Sequence, residues 1–504
     1  MITTLGTKVL HPHQVAAISW MEEREADPEF CGGLLCDEMG LGKTLTMIGH
    51  MINSPVASTL ILTPLAVITQ WVCAILSLGP SAPAVYTLKT KRWKRVGGQP
   101  RHGTIYLTNY DKLLSKHMPF HDSYDRLICD EAHIVRNHQS KKYIKLRKLR
   151  HESTWLITGT PIVNSTKDLS ALLSIINPRF APNRTLSIDD AAESMRSYAL
   201  CRTTEQLRES ILASLPEAPT IVHHRLPFRS DEEANFYRGI QGRLNADLQN
   251  EMEEDRPDML LILSLLLRLR QISVHPQIYI NSKRRKDLAY SRKPWVGDST
   301  KTETIVDILR NDPGQHGYVI FCHFTEEIAL LQERLRKEPF VRDVLVYSGE
   351  QSHVQRNEVL AQSETYMNDA VSFATKGERV DVILKAAIPH ATELPLDCCG
   401  VIEDFLGPSH TVILAQIQCA GTGLNLQHMD RVIFTTPWWT AALMDQAVGR
   451  VIRLGQTRSV IVHHLSLEEE HEVSLNIDDF INERVEEKRT LCQTLLEAAN
   501  HCVS

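Results

Sequence analysis

Eight residues from Asp37 to Thr44, DEMGLGKT, form a glycine-containing turn that ends in Gly-Lys-Thr at the start of a helix-patterned run. In such a turn, backbone N–H groups and the positive end of the helix face a phosphate, a lysine adds charge and a hydroxyl reaches Mg²⁺. The strict pattern has glycine where this chain has Asp37, so the match is to the variant that ends in GxGKT. We predict nucleotide contacts along the whole turn, from Asp37, Glu38, Met39, Gly40, Leu41, Gly42, Lys43 and Thr44.

An acidic pair, Asp130 and Glu131, follows a strand-like run at Leu127–Cys129 and opens the sequence DEAH. Such a pair is often only a helix cap, but here it accompanies a phosphate-binding turn. Mg²⁺ prefers a carboxylate together with phosphate oxygens, and hydrolysis needs a base that positions water. We therefore predict that Asp130 holds Mg²⁺ together with Thr44, and that Glu131 orients and deprotonates the attacking water. The cofactors expected are ATP and Mg²⁺.

Strand-like runs alternate with helical patterns in both halves of the chain. In the first half, four runs each end at a polar loop: Thr59–Leu62, Thr104–Leu107, Leu127–Cys129 and Trp155–Ile157. The second half repeats the scheme at Tyr318–Phe321, Val344–Val346, Thr411–Ala415, Arg431–Phe434 and Val460–Val462. This alternation predicts an α/β fold with parallel sheets, which bind ligands beyond the carboxyl ends of their strands.

The order of these patterns also predicts domain boundaries. Residues 1–215 are expected to form a first lobe, 216–299 a helical insertion, 300–480 a second lobe and 481–504 a helical tail. Within the second lobe, residues 362–400 are predicted to be an insertion. The reason is that Val401–Phe405 looks like the continuation that should follow soon after the helix containing Arg356.

Composition disfavours several classes of protein. The formal net charge of the 504 residues is -6, so any nucleic-acid surface must be local rather than global. The longest apolar stretches are far short of the roughly 20 residues that a membrane span needs, and no apolar signal region opens the chain. The 11 cysteines form no CxxC pair, which disfavours a secreted disulfide scaffold and a RING-type ubiquitin ligase module.

Taken in order from Leu10 to His464, these segments resemble the Swi/Snf-type DNA translocases of superfamily two. The matching segments are LHPHQVAAISWM, TPLAVITQW, LTNYDKL, LITGTPIVNS, LRQISVHP, VIFCHFTEE, QCAGTGLNL and DQAVGRVIRLGQT. The segment GLLCDEMGLGKTLTMI, which contains the phosphate-binding turn, is most similar to the Lodestar-like branch. The resemblance implies two RecA-like lobes, each a parallel sheet flanked by helices, with a helical insertion between and within the lobes.

The resemblance also implies roles for individual residues. Gln14 is expected to recognise adenine. Arg450 and Arg453, on one side of a helical turn and beside Gln446, are expected to act on the γ-phosphate as arginine fingers that reach across the cleft. Hydroxyls and amides at strand ends can hold nucleic-acid phosphates without reading the base sequence. The residues assigned to this nucleic-acid track are Thr63, Gln70, Asn109, Thr160, Thr422 and Asn425.

The sequence therefore predicts an ATP-dependent motor that moves along double-stranded DNA without separating its strands. Two alternatives stay open, a strand-separating DEAH-type RNA or DNA helicase and a nucleic-acid-binding scaffold with an inactive ATPase site. The segments TPLxxxxQW and GRxxRxGQ favour the motor. Its implied partners are double-stranded DNA and the chromatin, polymerase or repair proteins bound to it, in the nucleus, and a virus-encoded origin also fits the compact size.

Overall fold

The computed structural model describes residues 3–6, 8–88, 92–115, 120–207, 218–254, 258–375, 409–420, 425–453, 456–468 and 476–500. Two compact units are present. The first comprises Met1–Leu215, Thr440–Ala442 and Glu486–Ser504, and the second comprises Pro216–Trp439 and Leu443–Val485. None of the described helices is both long and apolar enough to span a bilayer.

The first unit is built on an eight-stranded sheet. A separate two-stranded ribbon of β1 (Thr4–Leu5) and β2 (Lys8–Val9) precedes it in the chain. The strands of the large sheet are β3 (Gly32–Leu35), β4 (Ser58–Thr63), β5 (Pro83–Leu88), β6 (Trp93–Gly97), β7 (Gln99–Asn109), β8 (Ser123–Asp130), β9 (Arg150–Ile157) and β10 (Ala199–Leu200). Its helices are α1 (Pro12–Ala26), α2 (Lys43–Asn53), α3 (Ile68–Leu76), α4 (Lys141–Leu146), α5 (Thr166–Ile176) and α6 (Ile188–Tyr198). The strand order is β10-β3-β9-β8-β4-β7-β5-β6, and every neighbouring pair is parallel except β5 with β6.

Both faces of this sheet are buried, which explains why its strands read as apolar runs rather than as an alternating pattern. In β8, Leu127 and Cys129 face one apolar cluster, and Ile128 faces the other. The first cluster includes residues of α4, α5 and α6, whereas the second includes residues of α1, α2 and α3. The helices therefore divide between the two faces of a parallel sheet, as the sequence predicts.

The parallel register brings the carboxyl ends of the central strands β3, β9, β8, β4 and β7 to one edge of the sheet. Residues aligned across neighbouring strands include Leu35 with Ile157, Asp130 with Ile157, and Thr63 with Asn109. The turn at Asp37–Thr44 leaves β3 at this same edge. The polar loops that follow these strands therefore meet at a single edge, as a parallel sheet requires.

An ionic cluster around Glu25 of α1 lies at the opposite edge of the sheet, away from the carboxyl ends of the strands. Arg126 of β8 donates to Glu25 Oε1 from Nε and to Oε2 from Nη2, both at 2.7 Å. His50 of α2 lies 2.6 Å from the same carboxylate, and Ser153 of β9 also donates to it. Burial alone raises the pKa of Glu25, but the bonds from His50 and Arg126 outweigh burial and lower the pKa to about 2.

Replacing Glu25 with glutamine is expected to destabilise the first unit. Because the folded pKa lies below the ordinary value, the carboxylate contributes stability above about pH 4.5, and this contribution is lost as pH falls through about 2. At pH 7 we expect a loss of about 3 kcal/mol, which lowers the thermal midpoint of a unit of this size by about 6 to 12 °C. Calorimetry from pH 7 to pH 3 measures the difference in thermal midpoint between the parent protein and the variant. Exposed Glu23→Gln on the same helix is the control, and equal midpoints for both variants would refute the prediction.

The second unit is built on a six-stranded sheet. Its strands are β11 (Thr220–Leu226), β12 (Gly317–Cys322), β13 (Val341–Tyr347), β14 (His410–Gln416), β15 (Arg431–Phe434) and β16 (Ile461–Leu467), in the order β11-β16-β15-β12-β14-β13. The helices after residue 215 are α7 (Asp231–Glu253), α8 (Met259–Val274), α9 (Pro276–Lys286), α10 (Thr300–Asn311), α11 (Thr325–Leu335), α12 (His353–Thr375), α13 (Ile417–Ala420), α14 (Ala441–Val448) and α15 (Ile477–Asn500). All five strand pairs are parallel, so the sheet predicted for the second half is confirmed.

Two segments differ from the sequence prediction. The segment predicted to be a helical insertion, 216–299, contains a strand, β11, which pairs with β16 along its whole length before the helices begin. The segment predicted to be an insertion, 362–400, begins as part of α12, which ends at Thr375. Ser363 is buried against His428, at 2.8 Å between Oγ and Nε2, and Met367 lies in the apolar core. Residues 376–400 and Val401–Phe405 lie outside the described residues.

Candidate nucleotide-binding site

The turn between β3 and α2 owes its shape to two glycines. Gly40 and Gly42 have φ of 91° and 79°, a left-handed conformation that glycine adopts without steric cost. Gly42 is the residue before α2, so Lys43 and Thr44 occupy the first two helical positions, where backbone N–H groups lack partners within the helix. The structure thus places a lysine, a hydroxyl and free helix N–H groups at one point, which is the arrangement an anion requires.

Lys43 points back into the turn. Its Nζ donates to the Asp37 carbonyl at 2.7 Å and to the Glu38 carbonyl at 3.1 Å. Burial lowers the pKa of Lys43, while the nearby charges of Glu131 and Asp37 oppose that shift. The loop after β9 also approaches this amine, because a Cβ added at Gly159 would lie 3.7 Å from Lys43 Nζ. The lysine therefore lies between the turn, the acidic pair and the loop after β9.

Asp37, the residue that replaces a glycine of the strict pattern, is held by an arginine from far along the chain. Arg202 donates to both carboxylate oxygens of Asp37, and its Nη1 donates to the His13 carbonyl at 2.7 Å. The carboxylate is 1% exposed. The backbone carbonyl of Arg202 accepts a further bond from Glu38 N at 2.9 Å. No local pattern in the sequence marks Arg202 as part of this site, because 165 residues separate it from Asp37.

The Arg202→Ala variant is expected to bind ATP more weakly by about tenfold or more, because it leaves a buried, unpaired Asp37 carboxylate beside the phosphate site. Adding Asp37→Asn should recover most of the affinity, since the amide carries no charge. Titration with a fluorescent nucleotide measures both effects in a double-mutant cycle. Arg196→Ala removes an exposed ion pair on α6 and serves as the control. Equal losses with and without Asp37→Asn would contradict this account.

Gln14 packs directly beneath the turn. Its Nε2 donates to the Leu41 carbonyl at 3.3 Å, and its Oε1 accepts a bond from His11 N at 3.0 Å. A Cβ at Gly42 would overlap its amide nitrogen, so the glycine is also required for close approach. His13 lies 3.0 Å from the same Leu41 carbonyl. Both ends of the Gln14 amide are thus bonded within the protein, and its role towards adenine remains a prediction.

The acidic pair occupies the end of β8 at the centre of the sheet. Asp130 accepts bonds from Trp71 Nε1 at 2.7 Å and Thr63 Oγ1 at 3.2 Å on one oxygen, and from Glu131 N at 3.0 Å on the other. Burial, followed by the charge of Glu131, raises the pKa of Asp130 to about 6. Tyr110 donates to its backbone carbonyl at 2.6 Å. The bonds from Trp71, Thr63 and Glu131 N fix the orientation of this carboxylate.

Glu131 has a strained backbone. Its φ of 52° is left-handed, a conformation that costs a non-glycine residue free energy and that clusters at functional sites. His133 Nδ1 lies 3.4 Å from both Glu131 Oε2 and Thr158 Oγ1. Burial lowers the pKa of His133 to about 4, so the imidazole is neutral at pH 7 and its contacts are not ion pairs. The loop after β9 is thereby connected to the acidic pair.

The predicted nucleic-acid residues divide into buried and exposed groups. Thr63 is fully buried and donates to Asp130, which contradicts its assignment to a surface that touches phosphates. Asn109 is 6% exposed, and Thr160 N donates to Thr158 Oγ1 at 3.1 Å. Gln70 and Asn425 are exposed, as a contact with nucleic acid requires, and Thr422 lies outside the described residues.

In the second unit, the two arginines lie just beyond a helix, in a segment where Ile452 N still donates to the Val448 carbonyl at 2.9 Å. α14 ends at Val448, and Arg450 and Arg453 lie in the turns that follow it. Arg453 Nε donates to the Gly449 carbonyl at 3.1 Å. Burial and the charge of Arg450 lower the pKa of Arg453 to about 10, which leaves it protonated at pH 7.

The residues around the two arginines are largely apolar or buried. Val451 lies fully buried in the apolar core, and Ile452 packs against that core. The predicted nucleotide contact Gln446 is 4% exposed. The Arg450 carbonyl accepts a bond from Leu426 N at 3.0 Å, which joins this turn to the segment that includes Asn425.

Comparison with known proteins identifies the family of this chain. The SNF2-related domain matches residues 13–278, and the helicase conserved C-terminal domain matches residues 398–455. The probable global transactivator of Orgyia pseudotsugata multicapsid polyhedrosis virus is 24% identical over 96% of this chain and 91% of its own length. Chromodomain-helicase-DNA-binding protein 1-like of Danio rerio is 25% identical over 98% of this chain but only 44% of its own length.

Among solved structures, the SWI2/SNF2 ATPase core of Sulfolobus solfataricus in complex with dsDNA aligns with 99% of this chain and 95% of its own, at 21% identity and a TM-score of 0.40. The Lodestar-like branch is not singled out by these relatives. The SNF2-related match alone covers more than half of the chain. This chain therefore belongs to the SNF2-related family and is a helicase-like ATPase of superfamily two.

Proposed function

We propose that this protein is an ATP-dependent motor on double-stranded DNA, which converts hydrolysis into movement along the duplex and remodels the protein complexes bound to it. The observation that carries the proposal is the meeting of Lys43, Asp130 and Glu131 at one edge of the first sheet. There, the charges of both carboxylates act on the lysine amine. A cation, a metal-binding carboxylate and a base at one point are the parts that ATP hydrolysis requires.

The residues of the first unit have separate roles in this reaction. Lys43 and the N–H groups at the start of α2 hold the β- and γ-phosphates. The Thr44 hydroxyl and the Asp130 carboxylate are oxygen donors of the kind that Mg²⁺ prefers, and they are the residues that would hold it. When bound, Mg²⁺ neutralises charge on the phosphates. Glu131 orients the attacking water and accepts its proton.

Residues of the second unit complete the proposed chemistry. Arg450 and Arg453 stabilise the charge that develops on the γ-phosphate in the transition state, as arginine fingers do in other ATPases. Gln446 and Gln14 are proposed to contact the nucleotide, Gln14 by recognising adenine. These assignments come from the segments LHPHQVAAISWM and DQAVGRVIRLGQT, and they remain to be tested by substitution.

The DNA surface is proposed to follow the backbone rather than the bases. Gln70 and Asn425 are proposed to supply exposed amides for phosphate contacts, and Asn109, Thr160 and Thr422 stay assigned to the same track by the resemblance. Such contacts give little sequence specificity and weaken in salt. A DNA substrate is supported by two of its relatives, which are named as a DNA repair protein and a chromodomain-helicase-DNA-binding protein. Chromatin, stalled polymerase and repair intermediates are the proposed targets, in the nucleus, including that of a virus-infected cell.

ATP hydrolysis measured with duplex DNA, single-stranded DNA, RNA or no nucleic acid tests this function. Strong stimulation by duplex DNA, absent from Lys43→Ala, supports the motor, and displacement of a third strand from a triplex then measures movement. A preference for RNA, or separation of the strands of a duplex, would favour the DEAH-type helicase instead. No hydrolysis under any condition would favour the scaffold.

A further inference from the structure

The carboxylate of Asp130 is held from the side of α3. Trp71, on the first turns of α3, donates from Nε1 to Asp130 Oδ2 at 2.7 Å, and Thr63 at the end of β4 donates to the same oxygen at 3.2 Å. Trp71 and Thr63 are both 0% exposed. A charge-assisted bond of this kind, shielded from water, is strong and directional. Oδ2 of Asp130 is therefore held by two donors, one from α3 and one from β4.

The segment that supplies these donors also has an exposed side. Leu65, in the turn between β4 and α3, is 53% exposed, and Gln70, the residue before Trp71, is exposed as well. The chain thus directs consecutive residues in opposite senses: Gln70 faces solvent and Trp71 faces Asp130. A ligand bound to the exposed side of this short segment would therefore contact the same helix that carries the indole.

We propose that Trp71 is a positioning residue that transmits the binding of DNA on the exposed side of α3 to the Mg²⁺-holding carboxylate of Asp130. This inference rests on the proposed function, because it identifies how the nucleic acid acts on that same site. The indole N–H sets the orientation of Asp130, and DNA bound beside Gln70 fixes α3 and with it the indole. Thr63 holds the same oxygen and is the second residue of this connection.

A matched pair of substitutions separates the hydrogen bond from the bulk of the side chain. Trp71→Phe keeps an aromatic ring but removes the donor. Trp155→Phe makes the same change on β9, at the same 0% exposure, and the Nε1 of Trp155 has no hydrogen-bond partner in the structure. Both side chains pack in the same apolar cluster, so the loss of packing is similar and only one variant loses a bond to the site.

The first measurement is the Mg²⁺ concentration that half-saturates the binding of a non-hydrolysable ATP analogue, with no nucleic acid present. Trp71→Phe should raise this concentration by about 10- to 100-fold, as the loss of a partner that orients a metal ligand does elsewhere. Trp155→Phe should leave it unchanged. If Trp71→Phe does not fold, Thr63→Val removes the second donor with little change in volume and should shift Mg²⁺ binding in the same direction. Equal Mg²⁺ binding in all variants would overturn the proposal.

The second measurement compares duplex affinity, from fluorescence anisotropy, with the stimulation of hydrolysis by duplex DNA at saturating Mg²⁺. Trp71→Phe should bind duplex DNA as the parent protein does and lose most of the stimulation. Full stimulation would overturn the proposed transmission even where the Mg²⁺ shift is found. A parent protein that hydrolyses ATP without stimulation by DNA would instead refute the proposed function, and the Mg²⁺ titration would still test the bond between Trp71 and Asp130.

Discussion

The Glu131→Gln variant should hydrolyse ATP about 10²- to 10⁴-fold more slowly than the parent protein and should bind the nucleotide as tightly. Glutamine keeps the length and the hydrogen-bonding shape of the side chain but cannot accept a proton from water. It also removes a negative charge from beside the bound phosphates, so no loss of affinity is expected. The effect falls on the chemical step alone, which distinguishes it from the effect of Lys43→Ala.

Single-turnover hydrolysis and nucleotide titration together measure this separation. Glu152→Gln, at an exposed position of β9 in the same unit, is the control for a change of charge. Hydrolysis by Glu131→Gln within a few-fold of the parent rate would show that another group accepts the proton. Slow hydrolysis accompanied by weak binding would show that Glu131 instead maintains the shape of the site, where its backbone is held at a φ of 52°.

The parts of the site that the sequence predicts are those whose determinants are local. Gly40, Gly42, Lys43 and Thr44 lie within five consecutive residues, and each contributes through its own conformation or charge. The end of β8 at Asp130 is equally local, because an apolar run stops where two carboxylates begin. The parallel sheet then brings both to one edge, a consequence of strand direction that requires no knowledge of individual contacts.

Contacts between distant segments could not be predicted in this way. The pairing of Asp37 with Arg202 depends on how β10 returns beside β3, which no short pattern encodes. Thr63 was assigned to the nucleic-acid track because hydroxyls at strand ends often hold phosphates. In the structure its hydroxyl is directed inward by β4 and satisfies a buried carboxylate, which a fully buried polar group requires.

In two segments the structure differs from the sequence prediction for a related reason. β11 lies at the edge of the second sheet, and its alternation of exposed and partly buried residues gives no continuous apolar run. Its pairing with β16 spans about half the chain. α12 continues past residue 362 because Ser363 and Met367 face the core, although the surrounding residues are polar and look like a surface loop. In both cases tertiary packing decides what local composition leaves open.

The Arg453→Ala variant is expected to lower the rate of ATP hydrolysis by about 10³- to 10⁵-fold, the effect of removing an arginine finger in other phosphoryl-transfer enzymes. The side chain is protonated at pH 7 even though burial lowers its pKa to about 10. Arg453→Lys keeps a positive charge but lacks the planar fork that can donate to two phosphate oxygens, so it should recover only part of the rate.

Steady-state hydrolysis with saturating duplex DNA, together with the affinity for ATP, distinguishes a finger from a structural arginine. A finger acts on the transition state, so Arg453→Ala should reduce kcat far more than it weakens nucleotide binding. Arg336→Ala removes an exposed arginine from the same unit and should leave both unchanged. A parallel loss of thermal stability, with kcat within tenfold of the parent, would mean that Arg453 serves the fold through its bond to Gly449 and that the γ-phosphate is stabilised by other residues.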